Sequence, residues 1–195
     1  MIEDCTAVIL TGGGSERMGQ DKASLELGGG TLLQSVSVRI RELFSEVLVS
    51  VRQPRKDTDL PQVCDVMVDT GPLAGLTASF ERAKTSWVYL VACDMPFLET
   101  EVIELLASKR KQCQAVVAII DGQPQPLAGF YAKECAVVAG EILAGSGKHS
   151  MRALLSKLEV CYVGEEELRS VDSELRSFID LDTPEDVAAV LNGVN

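Results

Sequence analysis

The sequence is poor in the residues that usually build zinc sites. Its 195 residues include one histidine, His149, and six cysteines that form no CxxC pair. Structural zinc centres need four Cys or His ligands at short spacings, so this pattern argues against one. The cysteines lie mostly inside apolar segments, as buried free thiols do. We therefore expect reduced thiols and a cytoplasmic protein.

Positive charge and long apolar stretches are scarce as well. Lys and Arg total 18 against 29 Asp and Glu, which gives a net charge of -11. Non-specific nucleic-acid binding needs a basic face that neutralises phosphates, so we expect no nucleic-acid partner. No apolar run reaches the roughly 18 residues that would span a bilayer, so we expect no membrane association. Any anionic ligand would depend on backbone amides, a few placed cations and a metal.

Short apolar runs alternate along the chain with segments of helical spacing. The predicted strands are 6–10, 47–51, 65–68, 87–93, 115–120, 127–132 and 160–163. The predicted helices are 31–44, 73–83, 101–111, 135–143, 151–158 and 184–191, with Thr100 and Thr183 as caps of the third and last. Strands that are apolar on both faces and alternate with helices are typical of a buried parallel sheet. The pattern predicts one α/β domain over 1–195, with three layers and a mostly parallel central sheet.

The segment from Leu10 to Lys22 directly follows the first predicted strand and holds three consecutive glycines. In an open parallel sheet this position is the carboxyl end, where ligands bind. Glycines allow consecutive backbone amides to converge on an anion, and Arg17 and Lys22 add two cations. The segment predicts a triphosphate site, although a flexible turn between strand and helix is the plainer alternative.

Two other phosphate-binding loops fit this segment less well. A Walker loop requires Lys directly after its last Gly, whereas Gln20 and Asp21 separate Gly19 from Lys22. A dinucleotide fingerprint requires a small residue at its sixth position, which Arg17 occupies.

The pattern GGxSxRMGxDK after a first strand resembles the nucleotidyltransferase superfamily, which activates sugars and cofactors with nucleoside triphosphates. Three further segments resemble molybdenum cofactor guanylyltransferases. Residues 68–75 (VDTGPLAG) resemble their GPLAG segment, 91–97 (VACDMPF) their CDxPF/Y strand end, and 178–186 (FIDLDTPED) their closing NxNTPED segment. The likeness extends from residue 7 to about residue 190.

The resemblance implies a Rossmann-like nucleotidyltransferase fold and transfer of GMP from GTP to the phosphate of molybdopterin, with Mg²⁺ as cofactor and pyrophosphate as leaving group. The implied catalytic residues are Arg17, Lys22 and Asp94. The implied nucleotide-binding residues are Leu10, Thr11, Gly12, Gly13, Gly14, Ser15, Arg17, Lys22, Ser50, Asp69, Gly71, Pro72, Gly75 and Asp94. It also implies that residues 1–100 mainly bind the nucleotide and 101–195 the acceptor, with transient contacts to proteins that deliver or receive the cofactor.

Asp94 and Asp182 are the candidate magnesium ligands. Asp94 ends an apolar strand, where a carboxylate is a hard oxygen ligand suited to Mg²⁺, although it could instead cap the following turn. By resemblance, Asp182 takes the second metal position, where this branch usually has Asn. A helix cap or turn residue is the alternative there, because Thr183 and Pro184 follow.

The identity of the base depends on smaller features. Guanylyl enzymes of this superfamily tend to read LAGG and cytidylyl relatives LAAG, so Gly12-Gly13 favours guanine, as do GPLAG and residues 125–127 (QPL). Asp182 favours a cytidylyl or sugar-phosphate transferase of the same fold. A nucleotide-binding regulatory module without turnover is the alternative from another class.

Overall fold

The structure is a computed structural model of the chain and describes residues 1–12, 21–64 and 71–191. The strands are β1 Cys5–Leu10, β2 Glu26–Leu27, β3 Gly30–Thr31, β4 Glu46–Val51, β5 Gln62–Cys64, β6 Trp87–Ala92, β7 Ala115–Ile120, β8 Gln123–Ala132 and β9 Val160–Val163. The α-helices are α1 Leu32–Leu43, α2 Pro72–Arg82, α3 Thr100–Ser108, α4 Cys135–Ala144, α5 Met151–Leu155, α6 Glu165–Arg169 and α7 Pro184–Leu191. Short 3₁₀ turns lie at Lys22–Ser24, Arg110–Gln112 and Arg176–Phe178.

Within the described residues, seven strands form one sheet in the order β5-β4-β1-β6-β8-β7-β9. β8 runs antiparallel to its neighbours β6 and β7, and the other pairs are parallel. The predicted mostly parallel sheet is therefore confirmed. The reversal into β8 occurs at Asp121 and Gly122, both with positive φ, as a two-residue hairpin turn requires. β8 consequently begins at Gln123, four residues before the predicted start.

Alternate residues of the central strands face opposite layers of helices. Ala7 and Ile9 of β1 pack in one buried cluster with apolar side chains of α1, α3 and α6. Val8 and Leu10 pack in a second cluster with α2, α4 and α5. Because both faces of the sheet are covered, its strands are apolar throughout, and the three-layer prediction is confirmed.

Several predicted boundaries require correction. Thr100 is the first residue of α3, not its cap, and no side chain caps that end. The predicted helix 101–111 ends at Ser108, where the Lys109 N–H bonds back to Leu106 O and tightens the turn. The predicted helix 151–158 ends at Leu155 for the same reason, since the chain continues in short turns into β9.

The predicted helix 31–44 is Leu32–Leu43, because Thr31 is its N-cap in a reciprocal capping box with Gln34. The predicted cap Thr183 agrees with the structure, since its Oγ1 accepts from the Asp186 N–H at the start of α7. The predicted strand 65–68 lies outside the described residues, and β5 immediately precedes it. None of the helices in the described part of the chain is long and apolar enough to span a bilayer.

Candidate active site

The carboxyl ends of β4, β1 and β6 meet at one edge of the sheet. Leu10 is in register with Ser50 of β4 on one side and with Ala92 of β6 on the other. The parallel pairing of β1 and β6 continues one residue past the end of β6, because the Cys93 N–H donates to Leu10 O over 3.0 Å. Thr11 and Asp94 therefore leave the sheet side by side, at the edge where open α/β sheets bind ligands.

Thr11 and Ser50 fix the start of the Gly-rich segment. The backbone N–H and the hydroxyl of Thr11 both donate to Ser50 O, over 3.1 and 2.8 Å. A Cβ at Gly75 would come within 2.7 Å of both the Ser50 hydroxyl oxygen and Leu10 Cδ2. Glycine at this position therefore allows α2 to lie close against β1 and β4.

Lys22 is placed by a 3₁₀ turn that Asp21 caps through its side chain. Its ammonium donates to Asp94 Oδ2 over 3.2 Å and also to Asp182 Oδ1. Desolvation would lower the pKa of Lys22, but the hydrogen bonds and charges of Asp182 and Asp94 outweigh it and raise the pKa. The lysine is therefore a fixed, fully charged cation at the carboxyl edge of the sheet.

The two carboxylates are brought together across 88 residues of sequence by a backbone contact. The Leu181 N–H donates to Asp94 O over 2.8 Å, which lays the segment 180–182 along the end of β6. The turn after β6 is closed by the backbone, from Met95 N–H to Ala92 O, while the Asp94 carboxylate faces Lys22. The side chain of Asp94 is 17% exposed and that of Asp182 is 63% exposed.

Asp180 is a third carboxylate at this edge, and the sequence reasoning missed it. Desolvation raises the pKa of Asp180 to about 6, and the charges of Asp94 and Asp182 add to that rise, while Lys22 opposes it. The signal was present in the NxNTPED-like segment, where aspartate occupies both asparagine positions. Among the described groups, Lys22 thus contacts two carboxylates, and its charge also acts on a third, Asp180.

The carboxylates at this edge carry more negative charge than the Lys22 ammonium neutralises. A divalent metal ion could bind there, either beside the ammonium or in its place. Asp94 and Asp182 are close enough to contact the same Nζ atom, so they could share one metal ion. No group of three or more Asp, Glu, His or Cys side chains with metal-binding geometry occurs in the described ranges. Two protein carboxylates plus ligand oxygens would be the corresponding donor set, as is usual for Mg²⁺ with phosphates.

Several predicted nucleotide-binding residues lie in the gaps of the description. Gly13, Gly14, Ser15, Arg17 and Asp69 fall outside the described residues, so their roles stay predictions.

The described flanks of those gaps show two further features. Gly71 has φ 59 and ψ -152, a conformation open only to glycine, and it leads into α2 with Pro72 at the first position. The Arg52 side chain lies against Gly12, with Cγ 3.5 Å from where a Cβ would stand. Arg52 follows β4 and was not among the residues predicted for the site, because a single arginine after a strand does not indicate a ligand.

The fold places the chain in a class shared by solved nucleotidyltransferases. The molybdopterin-guanine dinucleotide biosynthesis protein A of Archaeoglobus fulgidus superposes with a TM-score of 0.81 at 26% identity, covering 94% of this chain and 95% of that one. The 4-diphosphocytidyl-2C-methyl-D-erythritol synthase of Anaerococcus prevotii has a TM-score of 0.71 at 15% identity, with 96% and 98% covered. At that identity the second likeness concerns the fold alone.

Sequence comparison narrows this class to one family. The model of the MobA-like NTP transferase domain matches residues 7–161. The molybdenum cofactor guanylyltransferase of Syntrophotalea carbinolica is 32% identical over 185 residues, which covers 93% of this chain and 88% of that protein. The chain belongs to the family of MobA-like NTP transferase domains.

Proposed function

We propose that this protein is a molybdenum cofactor guanylyltransferase, which transfers GMP from GTP to the phosphate of molybdopterin. The observation that carries the proposal is Lys22 held between Asp94 and Asp182 at the carboxyl edge of the sheet. This triad lies in a chain that matches a guanylyltransferase of Syntrophotalea carbinolica over nearly its whole length. The product is the guanine dinucleotide form of the cofactor.

The reaction exchanges one phosphoanhydride bond for another. An oxygen of the molybdopterin phosphate attacks the α-phosphorus of GTP and forms a new P–O bond. The bond from the α-phosphorus to the oxygen that bridges to the β-phosphorus breaks, and pyrophosphate leaves with that electron pair. No covalent step on the protein is needed, so the residues contribute by positioning and by neutralising charge. Lys22 stabilises the departing pyrophosphate, and Arg17, by the sequence prediction, acts beside it.

We assign Mg²⁺ to Asp94 and Asp182. The fit rests on two hard oxygen donors that reach one cation and on the unbalanced negative charge to which Asp180 contributes. When bound, the metal supplies Lewis-acid charge neutralisation at the phosphates of the nucleotide. Asp94 and Asp182 would hold the metal, and Lys22, which contacts both carboxylates, would add its positive charge at the same edge of the sheet.

The remaining nucleotide contacts stay predictions from the resemblance. They assign contacts with the guanine nucleotide to the backbone of Leu10, Thr11 and Gly12, and the phosphates to the Gly-rich segment up to Lys22. Ser50 and Gly75 support that backbone from below, through the Thr11 hydrogen bonds and the close approach of α2.

The acceptor is assigned to the second half of the chain. A cavity of about 510 Å³ includes Asp180 in its lining and is bounded by Glu174, Arg176, Ile179, Asp180, Leu181, Asp186, Ala189 and Val190. The lining residues that the structure describes all lie beyond residue 100, and we assign the acceptor to this cavity. Asp182 comes from the same half, so the reaction centre itself draws on both. A cytoplasmic location and transient contacts with proteins that deliver or receive the cofactor are part of the proposal.

A second candidate is a cytidylyltransferase on the same fold. Asp182 favours it, because aspartate rather than asparagine at this position is typical of related transferases that use other nucleotides. Gly12-Gly13 and the GPLAG segment favour guanine.

Pyrophosphate release in the presence of molybdopterin and Mg²⁺ tests the proposal. We expect release with GTP and at least about tenfold less with CTP, since a base-reading site discriminates by hydrogen bonds that the wrong base leaves unpaired. Faster release with CTP would transfer the assignment to the cytidylyl candidate. Tight MgGTP binding without release would instead support a regulatory module.

A further inference from the structure

Arg55 lies outside the residues assigned so far, yet it is held by an unusually complete set of contacts. Its guanidinium makes a two-point contact with Asp57, from Nε to Oδ1 over 2.9 Å and from Nη2 to Oδ2 over 2.6 Å. Its third nitrogen, Nη1, donates to Asp21 Oδ2 over 2.5 Å. The side chain is only 14% exposed, so this is a partly desolvated pair of ion pairs rather than a loose surface contact.

The backbone of Arg55 is fixed as firmly as its side chain. The Arg55 N–H donates to Gln62 Oε1 and the Gln62 Nε2 donates to Arg55 O, each over 2.8 Å. Gln62 opens β5, which pairs with β4 in the main sheet. The guanidinium therefore extends from a point that is anchored to the sheet.

The group that Arg55 holds is the cap of the turn that carries Lys22. Asp21 Oδ1 accepts from the Ala23 N–H over 3.3 Å, and Asp21 Oδ2 accepts from the Ser24 hydroxyl over 2.9 Å. Arg55 Nη2 also donates to that hydroxyl, over 2.9 Å. Arg55 thus binds both ends of the 3₁₀ turn Lys22–Ser24.

We propose that Arg55 is a positioning residue for the transfer reaction, which acts by locking the Asp21-capped turn so that the Lys22 ammonium is presented between Asp94 and Asp182. The lock is needed because Lys22 carries a long, flexible side chain and its neighbours attract it without fixing its backbone. Two nitrogens of one rigid guanidinium hold the turn, Nη1 through Asp21 and Nη2 through Ser24, while the bonds to Asp57 fix the guanidinium itself. This role rests on the proposed function, because it matters only if Lys22 serves the reaction.

A second arginine–aspartate pair on the same loop serves as a control for the loss of a positive charge and for disturbance of the loop. Arg41 Nη2 donates to Asp59 Oδ1 over 2.6 Å, which ties α1 to the same loop between β4 and β5. That ion pair is more exposed and has no contact with the Lys22 turn among the described groups. Arg41→Met therefore removes an arginine–aspartate pair from the loop without touching the turn.

The first test compares steady-state kinetics of Arg55→Met, Arg41→Met and the wild-type protein, well below their unfolding temperatures. We expect Arg55→Met to lower kcat by about tenfold or more, since misplacing a charge-stabilising group by about 1 Å costs up to about 100-fold. KM for GTP should change by less than about threefold, and Arg41→Met should keep kcat within about twofold. Arg55→Lys, with the charge but no fork, should lie between wild type and Arg55→Met. It also serves as the test variant if Arg55→Met does not fold.

The decisive test is a double-mutant cycle with Lys22. If Arg55 acts through Lys22, Arg55→Met will lower kcat in the wild-type background and leave it unchanged, within about twofold, in the Lys22→Ala background. Equal losses in both backgrounds, or an unchanged kcat in the wild-type background, would overturn the inference. A wild-type protein that releases no pyrophosphate from GTP would instead contradict the proposed function. In that event, the affinity for inorganic pyrophosphate is measured by calorimetry in the wild type, Arg55→Met, Lys22→Ala and the double variant. If Arg55→Met weakens pyrophosphate binding equally with and without Lys22, the inference about Arg55 is wrong.

Discussion

Two aspartates eight residues apart, Asp172 and Asp180, have opposite environments. Asp172 is 7% exposed and accepts from the backbone N–H groups of Arg176 and Ser177, over 3.1 and 2.8 Å. Burial would raise the pKa of Asp172, but these hydrogen bonds and the charge of Arg176 outweigh it and lower the pKa. Asp180 lies beside Asp94 and Asp182, and its pKa rises to about 6. The first carboxylate stabilises the fold, and the second adds charge that a ligand must balance.

The comparison separates stabilising polar groups from functional ones. Both carboxylate oxygens of Asp172 accept hydrogen bonds from the protein's own backbone. Replacing Asp172 should therefore lower stability and leave turnover unchanged. The lysine–carboxylate cluster at the sheet edge carries more negative than positive charge among its described members, so changes there should alter turnover and metal response. The following predictions test that separation.

Removal of the Lys22 ammonium should give the largest effect. We expect Lys22→Ala to keep the fold and to lower pyrophosphate release by about 100-fold or more, because a cation placed against developing charge is worth that much. Steady-state release assays and circular dichroism check the two halves of this prediction. The control is Lys109→Ala, which breaks an exposed pair with Glu167 and should leave turnover unchanged. Full activity in Lys22→Ala would contradict the role given to the cluster.

Asp172 should behave in the opposite way. Asp172→Asn keeps the volume but loses the charge that accepts two backbone N–H groups, so we expect a loss of about 1–3 kcal/mol in the free energy of unfolding. Turnover per folded molecule should be unchanged. Urea unfolding measures the loss, with Asp59→Asn as a control whose carboxylate is 82% exposed and should matter little. A large drop in turnover without a loss of stability would erase the distinction between the two aspartates.

The contribution of Asp172 should depend on pH with a definite sign. Because its pKa is lowered in the folded protein, its stabilising effect is complete above the unfolded-state value of about 3.9 and is lost as pH falls through the lower folded value. The difference in unfolding free energy between wild type and Asp172→Asn should therefore be constant from pH 7 to about pH 5 and shrink below about pH 4. Urea titrations at pH 7, 5 and 3.5 test this. A gap that widens on acidification would show that the sign is wrong.

Asp180 should give the smallest effect and the reverse sign. Without divalent metal at pH 7.5, Asp180→Asn removes one of three neighbouring negative charges, so we expect stability to rise by less than about 1 kcal/mol, given screening by solvent. Thermal unfolding with and without Mg²⁺ measures it. Glu185→Gln, on the first turn of α7, is the matched carboxylate-to-amide control and should leave stability within about 0.5 kcal/mol. A destabilised Asp180→Asn would mean that this carboxylate is balanced within the protein.

Much of the site could be predicted because its parts have local signals. A Gly-rich segment after an apolar strand indicates the ligand edge, Asp94 ends a second such strand, and Thr183 before Pro184 indicates the start of the last helix. Each of these features is formed by residues that are close together in the sequence, so the sequence alone is enough to predict it.

The rest depends on contacts that no local pattern encodes. The Leu181–Asp94 backbone bond sets Asp180 and Asp182 against β6, and Arg55 reaches Asp21 across 34 residues. Helix ends at Ser108 and Leu155 were misjudged because apolar spacing continues past the point where backbone hydrogen bonds tighten. The strand predicted at 65–68 and the roles of Arg17 and Asp69 lie outside the described residues and stay predictions.

Transfer of label from GTP tests the central claim most directly. The protein is incubated with Mg²⁺, molybdopterin and GTP carrying ³²P on either the α- or the γ-phosphorus, and the purified cofactor is counted. We expect the α-label in the cofactor and the γ-label wholly in pyrophosphate, because the bond between the α- and β-phosphates is the one that breaks. Label from the γ-position in the cofactor, or a cofactor that gains label only from α-labelled CTP, would contradict guanylyl transfer by this protein.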